Sequence, residues 1–186
     1  MRLRVPLDKA YRLLNHGPTV LITTAAEGHR NVMAAAWIMP LDFSPPKVAL
    51  VIDKLTYSRS LLEASGELVI NIPPRSMVDQ TLAVGSISGR DLDKFNELGL
   101  KTMAAEMVTP PLLSDCIAWL ECRLIPQPQL QQDHDLFLAE VVAASANNLV
   151  FREGRWHFGE NAQRTLHHVA GGHFLQIGDE VEAKEP

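Results

Sequence analysis

Three stretches of this chain gather residues whose types and spacing could do chemistry. The first is Asp53-Lys54-Leu55-Thr56-Tyr57-Ser58-Arg59, where a strand ends and a helix begins. A helix N-terminus offers free backbone N–H groups and the positive end of its dipole. Lys54, Thr56, Ser58 and Arg59 add donors and charge, so a phosphate monoester would fit there. An ordinary threonine cap with solvated cations accounts for the same string. The second runs from Gly85 to Phe95, with Gly85, Ser86, Ser88 and Gly89 ahead of a helix carrying Lys94. Two glycines around two serines let backbone approach a ligand closely, and a capped loop is the competing reading. The third is Asn31-Val-Met33-Ala34-Ala35-Ala36-Trp37-Ile-Met39, three alanines ahead of a tryptophan in an otherwise strand-like run. Small side chains leave room for a flat aromatic cofactor held by backbone groups and covered by Trp37 or Met33. Close-packed neighbours over the alanines would explain the pattern equally.

Other chemistries find little support. There is no Walker loop, no GxGxxG after a strand, no HExxH and no Gly-x-Ser-x-Gly elbow. Cys116 and Cys122 read as parts of one strand about 20 Å apart, too far to pair with each other, and they lack zinc spacing. They are expected as small buried hydrophobes. His167, His168 and His173 invite a metal, but adjacent imidazoles diverge in either a strand or a helix, so a shared ion is not expected. His134, between two acids, is either a hydrogen-bonded surface or core group or a residue facing a substrate pocket.

The elements that must position these residues are mostly strands. A first helix is expected over Leu7 to His16, closed by Gly17-Pro18. Strands follow at Thr19–Thr24 and Asn31–Met39, joined by a hairpin turn at Glu27-Gly28-His29-Arg30. Lys47–Asp53 and Glu67–Ile72 flank a helix with Thr56 as N-cap and Gly66 at the left-handed C-terminal position. Ser76 with Asp79, and Ser88 with Asp91, resemble capping pairs for two short helices, the second closed by Gly99. The Pro-rich run Leu124 to Gln132 reads as a loop between strands at Ile117–Leu124 and Leu136–Ala143. Many short strands with Pro- and Gly-marked turns predict a mainly β barrel or sandwich with short helices.

With 186 residues, 46% of them hydrophobic and 21% charged, the chain is expected to be a single domain spanning 1–186. A net charge of −5 with no long basic run argues against nucleic acid as a partner. Apolar stretches well short of about 20 residues and the absence of a secretory apolar region predict a cytoplasmic protein with no membrane partner.

The three stretches, taken with Ser44-Pro45-Pro46, Glu67-Leu-Val-Ile-Asn71-Ile-Pro and Asp133-His134-Asp135-Leu-Phe-Leu-Ala-Glu-Val, occur in one order. From about Leu14 to Gly178 the chain resembles the flavin reductase-like, FMN-binding split-barrel proteins, in the branch that includes flavoredoxin. That resemblance implies a six-stranded antiparallel split β-barrel and a homodimer with one FMN per protomer near the interface. It assigns Asn31, Met33, Ala34, Ala35, Ala36 and Trp37 to the isoalloxazine and Lys54, Thr56 and Ser58 to the phosphate. Asn71 would sit under the ribityl chain or ring edge, while Ser86, Ser88, Gly89 and Lys94 would close the pocket. The activity implied is electron transfer from NADH or NADPH to FMN and on to an acceptor. The alternatives are a flavoredoxin-like protein reduced by a redox protein partner and a non-catalytic FMN-binding protein.

Overall fold

The computed structural model describes residues 1–159 and 163–184. Its strands are β1 (Arg2–Arg4), β2 (Val20–Ala26), β3 (His29–Ala35), β4 (Ile38–Phe43), β5 (Pro46–Val51), β6 (Glu67–Ile72), β7 (Thr102–Met103), β8 (Leu112–Leu113), β9 (Ala118–Ile125), β10 (Leu136–Asn147), β11 (Phe151–Arg152), β12 (Arg155–Trp156), β13 (Leu166–Ala170) and β14 (His173–Gln176). The helices are α1 (Tyr57–Ser65), α2 (Val78–Ser86), α3 (Lys94–Glu97) and α4 (Pro128–His134), with 3-10 turns at Leu7–Leu13 and Arg75–Met77.

The main sheet runs β3-β2-β6-β9-β10-β5-β4, antiparallel at every pairing, with β1 added against β10. β3 and β4 are consecutive in sequence yet form opposite ends of that path, which makes the barrel split. The split β-barrel is the expected fold, but the sheet holds eight strands where the resemblance implied six.

Two apolar clusters lie on the two faces of the curved sheet. Ile22, Leu50, Leu62, Leu68, Ile70, Ile72 and Phe137 fill the barrel interior. Leu21, Val32, Val69, Val84, Phe95, Leu112 and Trp119 form a second layer on the other face. Side chains alternate along a strand, so β6, covered on both faces, reads as a nearly unbroken apolar run. Complete burial of its apolar side chains is worth roughly 1.5–3 kcal/mol each.

Several local expectations hold. The hairpin from β2 to β3 turns on Glu27 and Gly28, both at positive φ (52° and 79°), the twist that matches flanking strands. Thr56 caps α1 by accepting from the Arg59 amide, and Gly66 closes it at φ 70°. Others are corrected. Asn31–Met39 is not one strand: the chain breaks at Ala36 and Trp37, where it leaves one end of the sheet to begin the other. The first helix is a 3-10 turn ending at Leu13, without a side-chain cap. Ser76 does not cap α2, whose N-cap is Met77. The cap of α3 is Asp93, accepting from the amides of Phe95 and Asn96, while Ser88 accepts from the Arg90 amide in a local turn. The Pro-rich run is partly helical, because Pro128 takes the first position of α4, where its missing N–H costs nothing.

Candidate functional site

The last turn of α2 and the following Ile87–Gly89 segment lie across β3, Gly85 against Ala34 and Gly89 against Asn31, and α1 packs beside them. Two cavities open along this seam. One, about 270 Å³, is lined by Asn31, Met33, Ala34, Thr56, Tyr57, Ser58, Ser86, Ser88, Gly89 and Lys94 among others. The second, about 340 Å³, is lined by Thr19, Ala34, Ala35, Ala36, Thr81, Leu82, Gly85, Ser86, His168, Gly171 and Phe174. Ala34, Gly85 and Ser86 line both, so the two cavities adjoin along one groove.

The first cavity is polar and braced. Asn31 Nδ2 donates to Ser58 Oγ at 3.0 Å, tying β3 to α1. A Cβ on Gly89 would come within 2.0 Å of Asn31 Oδ1, so only glycine lets that turn close over the strand. Lys94, 4% exposed, donates from Nζ to the carbonyls of Val32 (2.9 Å) and Val84 (2.8 Å), which ties β3 to α2 and sets an ammonium in the cavity wall. Burial lowers its pKa to about 8, and below that pH it remains charged. Arg90 reaches over the first turn of α1, donating to Leu55 O (2.8 Å) and Ser60 Oγ (3.3 Å) with its guanidinium 5.4 Å from the Tyr57 ring centre. Backbone N–H groups of an N-terminal helical turn, hydroxyls and two cations at one end of a groove suit a compact anion.

The second cavity is mainly apolar and small-sided. Gly85 makes this possible, since a Cβ there would meet only the Ala34 Cβ, at 3.4 Å. The β13–β14 hairpin walls its far side. That hairpin docks through Thr19 N to Leu166 O (2.7 Å), His168 N to Thr19 Oγ1 (2.9 Å) and His167 Nδ1 with Gly17 O (3.0 Å). Beneath it, burial holds the His16 pKa down to about 4, with His167 adding to the effect.

The structure thus brings together Asn31, Met33, Ala34, Ala35, Ala36, Thr56, Ser58, Ser86, Ser88, Gly89 and Lys94. It places three expected residues elsewhere. Lys54 is exposed on the turn before α1 and lines neither cavity. Trp37 stands 75% exposed at the corner between β3 and β4, because the strand breaks there and turns its side chain outward. Asn71 is fully buried two strands inward from β3. Its amide donates to Leu21 O and Val69 O and accepts from Leu113 N, so it holds the β8 segment against the sheet. Arg59 also points away, pairing with Asp135 and Glu63 and donating to Gln131 O. His134 is exposed at the end of α4, outside both cavities. Among the described residues no cluster of three metal-ligating side chains exists, and both cysteines are free and buried. Thr81, His168 and Phe174 enter from elements the three stretches did not mark; the available signal was a threonine in the buried stripe Met77, Thr81, Val84 along α2 and its N-cap.

A family model for the flavin reductase like domain matches residues 12–179. The chain belongs to the flavin reductase-like family. Within the wider set of similar proteins, YddH, an uncharacterized protein of Escherichia coli (strain K12), is 48% identical over 182 residues, covering 96% of each chain. The structure of an FMN-binding domain of a flavin reductases-like enzyme from Shewanella baltica OS155 superposes with a TM-score of 0.96 at 44% identity, over 99% of this chain and 98% of that one. Flavoredoxin of Desulfovibrio vulgaris (Miyazaki F) has the same fold, with a TM-score of 0.78 at 24% identity over 90% of each chain. The flavin reductase-like match covers the groove from end to end. No helix among the described residues is long and apolar enough to cross a membrane.

Proposed function

We propose that the groove binds FMN and that the protein is an oxidoreductase moving electrons from a reduced nicotinamide, NADH or NADPH, to an acceptor. The observation that carries this reading is the groove's polarity. One end joins the start of α1 to Lys94 and the Ser88-Gly89 turn, and the other is a small-sided apolar slot over Ala34, Ala35 and Ala36. A phosphate monoester on a flat ring has that same division. The likeness to the Shewanella baltica FMN-binding domain supports it.

FMN, when bound, supplies the electron-accepting chemistry. The chain's part is positional. Thr56, Ser58 and Lys94 would hold the phosphate, with Arg90 adding long-range attraction. Asn31 and Gly89 fix the distance between β3 and the loop covering it, and the alanines keep side-chain bulk out of the ring's plane. One anion-sized cluster favours FMN over FAD. What that chemistry would ask of the chain is positioning, which Thr56, Ser58, Lys94 and the alanine run would supply.

The carapace of exposed apolar side chains on edge strand β4 fits a second copy of this chain. Met39, Leu41 and Phe43 are exposed along it, with a bulge at Leu41 that sets Phe43 on the opposite face from Met39, and Trp37 stands exposed at the corner before them. A homodimer joined there would cover these side chains at the mouth of the split.

The decisive experiment is anaerobic titration of the FMN-loaded protein with NADH and, separately, NADPH. Bleaching of the flavin band by one of them at stoichiometric amounts is the expected result. A flavin band that dithionite bleaches but neither nicotinamide touches would instead assign the reductant to a redox protein partner. Failure of the purified protein to bind FMN at all would overturn the reading.

A further inference from the structure

We infer that Thr81 is the residue of this chain that recognises the polar, pyrimidine edge of the flavin ring, its hydroxyl donating to a ring carbonyl oxygen in the second cavity. The inference rests on the FMN reading above and goes beyond it, because no motif marks Thr81 and α2 was not expected to supply a ring contact.

Thr81 is 1% exposed and its Oγ1 has no hydrogen-bond partner. A helical threonine ordinarily answers this by bonding the carbonyl one turn back, here that of Met77, and Thr81 does not. A buried hydroxyl left alone costs about 1–3 kcal/mol, so one that persists in a cavity wall calls for a partner that arrives later. Each of the other polar side chains around this cavity already has a partner. Ser86 Oγ donates to Leu82 O at 2.8 Å, Thr19 Oγ1 accepts from the His168 amide, and His168 Nε2 bonds Gly171 O at 3.0 Å. What remains of the lining is hydrocarbon and glycine, apart from Thr81.

Polarity then sets which way the ring enters. With the phosphate at α1, the ring would extend toward the adjoining second cavity, past Ser86. A dimethylbenzene edge would leave the Thr81 hydroxyl buried against carbon. The pyrimidine edge carries carbonyl oxygens and would satisfy it. Donation to such an oxygen also favours the electron-rich, reduced ring, so Thr81 should raise the flavin's reduction potential.

The test is Thr81→Val, which keeps the shape and removes the hydroxyl. Its apoprotein should melt at a higher temperature than wild type, since an unpartnered buried hydroxyl is gone, while FMN affinity falls roughly five- to tenfold. Riboflavin, which lacks the phosphate, should lose affinity by the same factor, and the midpoint potential of the bound flavin should drop. Thr81→Ser should restore affinity, and Thr81→Ala replaces the valine variant if that one does not fold. Wild-type affinity in the variants lacking the hydroxyl overturns the inference while leaving the FMN reading intact. So does lost affinity with an unchanged potential, which would place the hydroxyl away from the ring's polar edge. Wild-type protein that binds no FMN removes the reading and the inference together.

Discussion

In the proposed FMN site, Lys94 is the residue on which the phosphate end would turn. The sequence offers two lysines near the anion site, and local pattern favours Lys54, beside the helix start. The structure leaves Lys54 in solvent and buries Lys94 between β3 and α2 with two carbonyl acceptors. Replacing Lys94 with Met should weaken FMN binding by roughly tenfold or more, the loss of a charge-assisted hydrogen bond of about 1.5–3 kcal/mol. Lys54→Ala should stay within about twofold, because an exposed charge is screened. Equal affinities of Lys94→Met and wild type, read by flavin fluorescence quenching, would dismiss the assignment. The pH dependence has a fixed sign. Burial lowers Lys94 from 10.5 to about 8, so between those values the unfolded chain holds the proton and the folded one does not. Apoprotein stability should therefore rise with pH across that window, and FMN affinity should fall across it as the cation is lost. Both trends should vanish in Lys94→Met.

At the scale of elements, the proposed site places the ring at the seam between α2 and β3. Glycine inside a helix is unfavourable by up to about 1 kcal/mol relative to alanine, yet Gly85 sits in the last turn of α2 with ordinary helical geometry. Ala34 is its neighbour across the groove. Gly85→Ala should leave the apoprotein as stable as wild type or slightly more so, while narrowing the groove and lowering FMN affinity by about tenfold, within the 1–3 kcal/mol range of overpacking. Calorimetry of the apoprotein beside an FMN titration separates the two effects. A variant that binds FMN normally would show that this seam does not contact the cofactor. The alanine run pointed to this strand from sequence, but not to Gly85 as the opposing wall. That pairing depends on how α2 crosses β3, which no local pattern encodes.

For the whole molecule, Trp37, Met39, Leu41 and Phe43 gather four exposed large apolar side chains on and beside β4. The homodimer proposed above would cover these side chains. Sedimentation at micromolar concentration should give about twice the 20.6 kDa chain mass, and Phe43→Lys with Met39→Lys should shift the protein to monomer while preserving its fold. A wild-type monomer that holds FMN at full affinity would contradict a shared interface. Trp37, expected over the ring, takes its place here at the rim of β4. Its outward turn follows from the break between β3 and β4.

Much of this protein was legible before any fold was known, because the relevant physics is local. The strand–helix–strand unit from Lys47 to Ile72 follows from β-branched runs, a threonine cap and a glycine stop, each acting within a few residues. The two-sided burial of β6 and the paired turn at Glu27-Gly28 are written in the same way. Resemblance added the order of the weak motifs, which local chemistry could not rank. Tertiary structure alone decided which members of those motifs share a groove. Asn71 and Arg59 have the right chemistry, but each is committed to partners far along the chain: Asn71 to Leu21 and Leu113, Arg59 to Gln131 and Asp135. Lys94 owes its buried position to contacts with α2 and β3 that are 10 and 62 residues away in sequence. A side chain's type is fixed by its codon, whereas its free lone pairs and protons are fixed by whatever the folded chain brings beside it.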